Sequence, residues 1–132
     1  MFESNNKKPF ELSKLGDPLL NLIYSLSLSN SYNRPMGKKV SNLILAEALE
    51  DSGLRSLVGA RKSRGDLGDF VEGLLFKLWN NGEYSIDEAV EILSAHITPS
   101  KNDIELRKSS IKAFSSLLKH LDEKCSLGSL EK

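Results

Sequence analysis

The sequence holds a single cysteine, Cys125, so it can form neither an internal disulfide nor a cysteine-based metal cluster. No apolar run approaches the roughly 18 residues that a membrane-spanning helix needs. The first residues, Met1 to Lys8, lack the apolar stretch of a secretory signal. These absences predict a cytoplasmic protein with no membrane partner. Net charge is absent too: 18 Lys+Arg balance 18 Asp+Glu. This balance argues against a broad electrostatic nucleic-acid surface, and any phosphate-binding site has to be local. Sustained strand-like alternation is missing throughout. What is present is a chain of 132 residues, 39% hydrophobic and 27% charged, the composition of one folded soluble domain.

Helical periodicity fills that chain. Leu19, Leu22, Ile23 and Leu26 form one apolar stripe, and Ile44, Leu45, Ala48 and Leu49 a second. Leu67, Phe70, Val71, Leu74, Leu75 and Leu78 form the cleanest, which predicts a helix over about 66–80. Ile86, Ala89, Val90, Leu93 and Ile97 form a fourth; Ile104, Ile111, Phe114, Leu118 and Leu121 form a fifth. Each stripe needs a partner to bury it, so the fold class expected is all-α, in one domain over 1–132. The loops fall at 30–39, at Gly53, at the basic connection Gly59–Gly65 and at Asn80-Asn81-Gly82. Ser85 and Glu88 read as a capping box, and Thr98-Pro99 ends the fourth helix. Residues 126–132 read as a frayed tail.

Few residues offer chemistry. On the third helix Asp69 and Glu72 stand three apart, on the side away from the apolar stripe. Two carboxylates so placed can share a hard cation such as Mg²⁺; a solvated helix face is the plainer reading. Asp17 also points off its stripe, but Asp17-Pro18 equally reads as an N-cap and first helical residue. His96 and His120 lack metal-ligand spacing, Cys125 has no catalytic partner, and Trp79 continues the third helix as a core or interface residue. Lys108, Lys112 and Lys119 read as a solvated face.

Taken together, three segments carry a resemblance. Leu15-Gly16-Asp17-Pro18-Leu19-Leu20 resembles the signature helix of the ribonuclease III family. Asp69-Phe70-Val71-Glu72-Gly73-Leu74 resembles its second acidic motif, and Leu45 to Leu54 looks like the connecting helix that ends in Gly-Leu. The resemblance covers about residues 10–95 and is nearest to a short archaeal-type member. No double-stranded-RNA-binding module is expected after it. It implies an all-helical, ribonuclease III-like endonuclease domain that hydrolyses double-stranded RNA as a homodimer. On that resemblance Asp17, Asp69 and Glu72 hold Mg²⁺ or Mn²⁺, and Glu47 matches a further acidic position. Arg61, Lys62 and Arg64 contact phosphates, and Leu20, Ile23 and Tyr24 form the dimer interface.

The departures are specific. Ser13 stands where the signature has Glu, one turn before Asp17, and Phe10 stands where it has its first acidic residue. Glu11 lies about 240 degrees around the helix from Asp17 and does not substitute. Pro18 replaces a small residue. Compact Mini-III-like members also lack part of the acidic set. Two other readings stay open: a non-catalytic RNA-binding member of the same fold, which Ser13 favours, and a helical protein-interaction domain, which the zero net charge favours.

Overall fold

The computed structural model describes residues 3, 6–60 and 62–130. A 3-10 turn, Pro9–Leu12, leads into α1 (Ser13–Tyr32). Then follow α2 (Asn42–Asp51), α3 (Arg64–Asn80), α4 (Ile86–His96), α5 (Asp103–Cys125) and the short α6 (Leu127–Leu130). No strand occurs among the described residues, so the fold is all-α. Helix α3 sits at the centre, packed on α1, α2 and the 3-10 turn; α5 packs on α2 and α4, and α4 packs on α1.

Local chemistry explains the helix ends. Ser63 accepts from the Asp66 N–H at 3.1 Å while the Asp66 carboxylate accepts from the Ser63 N–H at 3.2 Å. This capping box starts α3 at Arg64, three residues before the apolar stripe begins at Leu67. At Ser85 only half a box forms: its hydroxyl accepts from the Glu88 N–H at 3.0 Å, and the Glu88 carboxylate faces His120 and Lys124 instead. Helix α2 stops in a Schellman turn at Gly53, φ +82°, where the Leu54 N–H reaches the Leu49 carbonyl at 3.3 Å. Helix α1 starts at Ser13, so Asp17 and Pro18 lie inside it and the N-cap reading of Asp17 is corrected.

The faces of α1 also differ from the stripe expected. Leu19, Leu20, Ile23, Tyr24 and Leu28 are buried, whereas Leu22 and Leu26 are 48% and 41% exposed. Tyr24 reaches α5, where its hydroxyl meets Ser110 Oγ at 2.7 Å. Leu20, Ile23 and Tyr24 are thus core residues of the protomer, and their expected place at a dimer interface is corrected. The cause is that α1 is flanked by α3 on one side and α4 on another, so its buried sector is wide. On α5, Ile104 is 62% exposed while Phe114, Leu118 and Leu121 are fully buried. In the expected tail Leu127 is buried, with its N–H on the Asp122 carboxylate at 3.1 Å.

Candidate functional site

The crossing of α1 and α3 sets the site. A Cβ on Gly16 would overlap the Glu72 carbonyl, so only glycine lets the two helices meet there. At the next residue of α3, a Cβ on Gly73 would overlap the Pro9 carbonyl. A Cβ on Gly68 would stand 2.6 Å from the Asn42 Cβ, at the start of α2. Glycines therefore draw α1, α2 and the 3-10 turn onto the segment of α3 that carries Asp69 and Glu72. The residue after Gly16 is Asp17, which the close crossing brings beside Glu72.

Asp17, Asp69 and Glu72 line one open cavity of about 520 Å³, with Lys39, Val40, Ser41 and Asn42. Asp17 accepts from Lys39 Nζ at 3.1 Å and from Asn21 Nδ2 at 3.4 Å. The Lys39 ammonium, more than any other group, holds the Asp17 carboxyl below its usual range. Asp69 accepts from Asn42 Nδ2 at 3.0 Å, and the same amide reaches the Gly65 carbonyl at 3.2 Å. Glu72 is only 4% exposed. Burial first, then its hydrogen bond with Asp17 and the charges of Asp17 and Asp69, push the Glu72 carboxyl up to about 8. At neutral pH Glu72 keeps a proton, which it donates to Asp17.

The cavity is thus short of positive charge. Three carboxyls face it against one ammonium, and one carboxyl stays protonated as a result. Oxygen donors with excess negative charge suit a hard divalent cation, so the donor set fits Mg²⁺ or Mn²⁺. Among the described residues, however, no three His, Cys, Asp or Glu side chains are gathered closely enough to form a ready metal shell.

The other expected residues are placed elsewhere. Glu47 does not line the cavity; it pairs with Arg64 at 3.4 Å, and Glu50 lies 3.7 Å from the same guanidinium. Lys62 Nζ lies 5.2 Å from the centre of the Phe10 ring, which itself packs on Phe70. Arg61 lies outside the described residues. Ser13 is the first residue of α1, half-buried one turn before Asp17. The Cys125 thiol is pushed up to about 11 by burial and by Glu83, which leaves it inert at neutral pH. His120 pairs with Glu88 at 2.7 Å and His96 meets the Ile92 carbonyl at 2.9 Å, so neither faces the cavity. Among the described residues no helix is long and apolar enough to cross a membrane.

Lys39 and Asn42 are the site residues that sequence reasoning missed. Both come from the segment between α1 and α2, and their spacing to the acidic residues follows no periodicity. The one signal was the paired Lys38-Lys39 in a loop whose other charged residue is Arg34.

Comparison with curated proteins finds no match. A family model described as Ribonuclease III matches residues 10–127, which runs from the 3-10 turn through every main helix to the start of α6. The match takes in Gly16 and Asp17 on α1 together with Asp69 and Glu72 on α3, and the chain belongs to the ribonuclease III family.

Proposed function

We propose that the protein is a metal-dependent endoribonuclease that hydrolyses phosphodiester bonds of double-stranded RNA as a homodimer. One observation carries this reading: Asp17, Asp69 and Glu72 line one cavity that lacks enough positive charge to keep all three ionised. A protein that only bound RNA would gain nothing from carboxylates beside phosphates.

Asp17, Asp69 and Glu72 would hold Mg²⁺ or Mn²⁺. When bound, the cation supplies a Lewis acid for the phosphate oxygens and lowers the pKa of a nearby water. Glu72 would hold the cation as a carboxylate, its proton released to solvent. Asn42 keeps the Asp69 carboxylate turned toward the cavity, and Asn21 does the same for Asp17. Lys39 exchanges its contact with Asp17 for one with the substrate phosphate. The basic stretch Arg61, Lys62 and Arg64, next to α3, adds contacts that position the duplex without reading its sequence. RNA duplexes are recognised by A-form shape and 2′-hydroxyls.

The homodimer reading is supported by one face of α1. Leu15, Leu22 and Leu26 recur at helical spacing, each 41–48% exposed, with exposed Pro18 between them. These residues, on the face opposite the buried sector, take the place of Leu20, Ile23 and Tyr24 in the interface.

The experiment is incubation of the protein with duplex RNA and Mg²⁺, with and without chelator, beside Glu72→Gln. Cleavage that needs both the cation and Glu72 is the expected result. A second reading, a non-catalytic RNA-binding member, rests on Ser13 in place of the signature Glu and on Lys39 already pairing Asp17. It wins if the wild type binds duplex RNA and never cuts it, and Ser13→Glu is then the test of what was lost.

A further inference from the structure

The segment between α1 and α2 is a loop without regular structure, yet it is pinned along its length. Helix α1 ends at Asn33, φ +55°, and the chain turns back along the helix it has just left. The Met36 N–H donates to Ser29 Oγ at 2.8 Å, the Lys38 N–H to Ser25 Oγ at 2.9 Å and the Val40 N–H to Asn21 Oδ1 at 2.9 Å. Ser25 returns the bond by donating to the Lys38 carbonyl at 3.0 Å.

The register has a simple origin. Two residues of extended chain advance about 6.6 Å. Four residues of helix advance about 6.0 Å. Every second residue of the strap therefore meets every fourth residue of α1, and the polar side chains Asn21, Ser25 and Ser29 form one row to receive it. A segment that contains Gly37 and would otherwise be loose is held as a rigid strap, and its consecutive lysines are held with it.

Those lysines join two cavities. Lys39 and Ser41 line the carboxylate cavity and also a neighbour of about 230 Å³. The neighbour is completed by Lys38 from the strap and by Tyr24, Ile44, Asp103, Leu106 and Arg107. Among the described residues neither the Lys38 ammonium nor the Arg107 guanidinium has an ion-pair partner, and both residues are exposed. The contrast with the start of α3 is direct: there Arg64 is taken by two glutamates. Of the residues lining the second cavity, Asp103 is the one carboxylate, against Lys38, Lys39 and Arg107.

We propose that this second cavity, built from the strap and the first turns of α5, is a phosphate subsite. It holds a backbone phosphate of the RNA strand next to the one presented to the carboxylates, with Lys38 and Arg107 as its positioning residues. The inference rests on the endoribonuclease reading above. The chemistry is that of a phosphodiester: Arg107 offers a planar fork of donors and Lys38 a point charge, neither committed elsewhere. A row of alternating sign, carboxylates then cations, suits a strand whose cleaved phosphate is reached through a divalent cation and whose neighbour is bound directly.

The test measures binding of a short duplex RNA to the full chain in chelator, by fluorescence anisotropy, across 50 to 200 mM salt. The double variant Lys38→Ala/Arg107→Ala is compared with wild type and with Lys119→Ala, an exposed α5 lysine outside both cavities. The double variant is expected to bind about tenfold more weakly at the low-salt end. Its log–log salt slope should fall by about 1 to 2, as one or two phosphate contacts are lost. Arg107→Lys, which keeps the charge and loses the fork, should fall between. Equal affinity and slope in wild type and double variant, with wild-type duplex binding intact, would overturn the subsite and leave the endoribonuclease reading standing. A wild type that binds no duplex at all would overturn both.

Discussion

Replacement of Glu72 by Gln should stabilise the protein, and by an amount that depends on pH in a defined way. In the unfolded chain Glu72 titrates near its ordinary 4.5, whereas in the fold its carboxyl is pushed up to about 8 by burial, by Asp17 and by Asp69. Between those values the folded state holds a proton that the unfolded state has lost. Stability therefore falls as pH rises through this window, by about 1.4 kcal/mol per pH unit, and levels off above the folded value. Below about pH 4.5 both states carry the proton and there is no penalty. At pH 7 the penalty is about 3 kcal/mol, and near pH 8 it approaches about 5 kcal/mol. Gln keeps the shape, stays neutral at every pH and can donate to Asp17 as the protonated Glu does. Urea unfolding of both proteins in chelator at pH 5, 6, 7 and 8 would read the difference. The gap should open steadily in favour of Gln, and Mg²⁺ should narrow it by stabilising only the wild type. A gap that stays constant with pH, or a Gln variant less stable throughout, would refute the crowding of charge on which the site rests.

Three further outcomes follow from the same geometry. Gly16→Ala should destabilise the fold by about 1–3 kcal/mol in denaturant unfolding, because its Cβ would meet the Glu72 carbonyl and force α1 off α3. Lys39→Met removes the cation that draws the Glu72 titration downward, so the pH at which Mn²⁺ binding sets in, followed by electron paramagnetic resonance, should move upward. Leu22→Glu with Leu26→Glu should convert a dimer to a monomer in sedimentation while leaving the helical circular dichroism unchanged, since both side chains are exposed on the protomer.

The helices were largely legible because each is closed by local chemistry. Ser85, Gly53 and Thr98-Pro99 mark ends that depend on a few adjacent residues, and the stripe of α3 lies buried as expected, from Leu67 to Leu78. The α1 face was not legible. Its apolar residues cover most of the circumference, so periodicity could not tell the sector facing α3 and α4 from the one facing outward. Leu22 and Leu26 were read as core, and Leu20 and Tyr24 as dimer-interface residues; in the protomer Leu20 and Tyr24 are buried and Leu22 and Leu26 are exposed. Only the positions of α3, α4 and α5 around α1 decide that question, and those are tertiary facts. The start of α3 was misplaced for the opposite reason: Ser63 and Asp66 form a short-range box hidden in a stretch that read as a flexible basic connection.

The carboxylates were legible as a set only through the family motifs, because no local rule relates Asp17 to Asp69 across so much chain. The structure supplies the physical link in the glycines. Gly16 of α1 meets α3 at the Glu72 carbonyl, and Gly73, the next residue of α3, meets the Pro9 carbonyl, so α3 admits other backbone at contact at Glu72 and beside it. A side chain buried in so close a crossing has little water to solvate its charge, so the packing that fixes Glu72 also raises its proton affinity. Close packing and acid chemistry are thus one feature of this fold. A zero net charge conceals it, since the balance over the whole chain is met by cations standing elsewhere: Arg64 on Glu47 and Glu50, Lys112 on Asp51, Lys124 on Glu88. Around Glu72 itself, among the described residues lining the cavity, only Lys39 answers three carboxyls, and that local deficit, rather than the total, is what a divalent cation would meet.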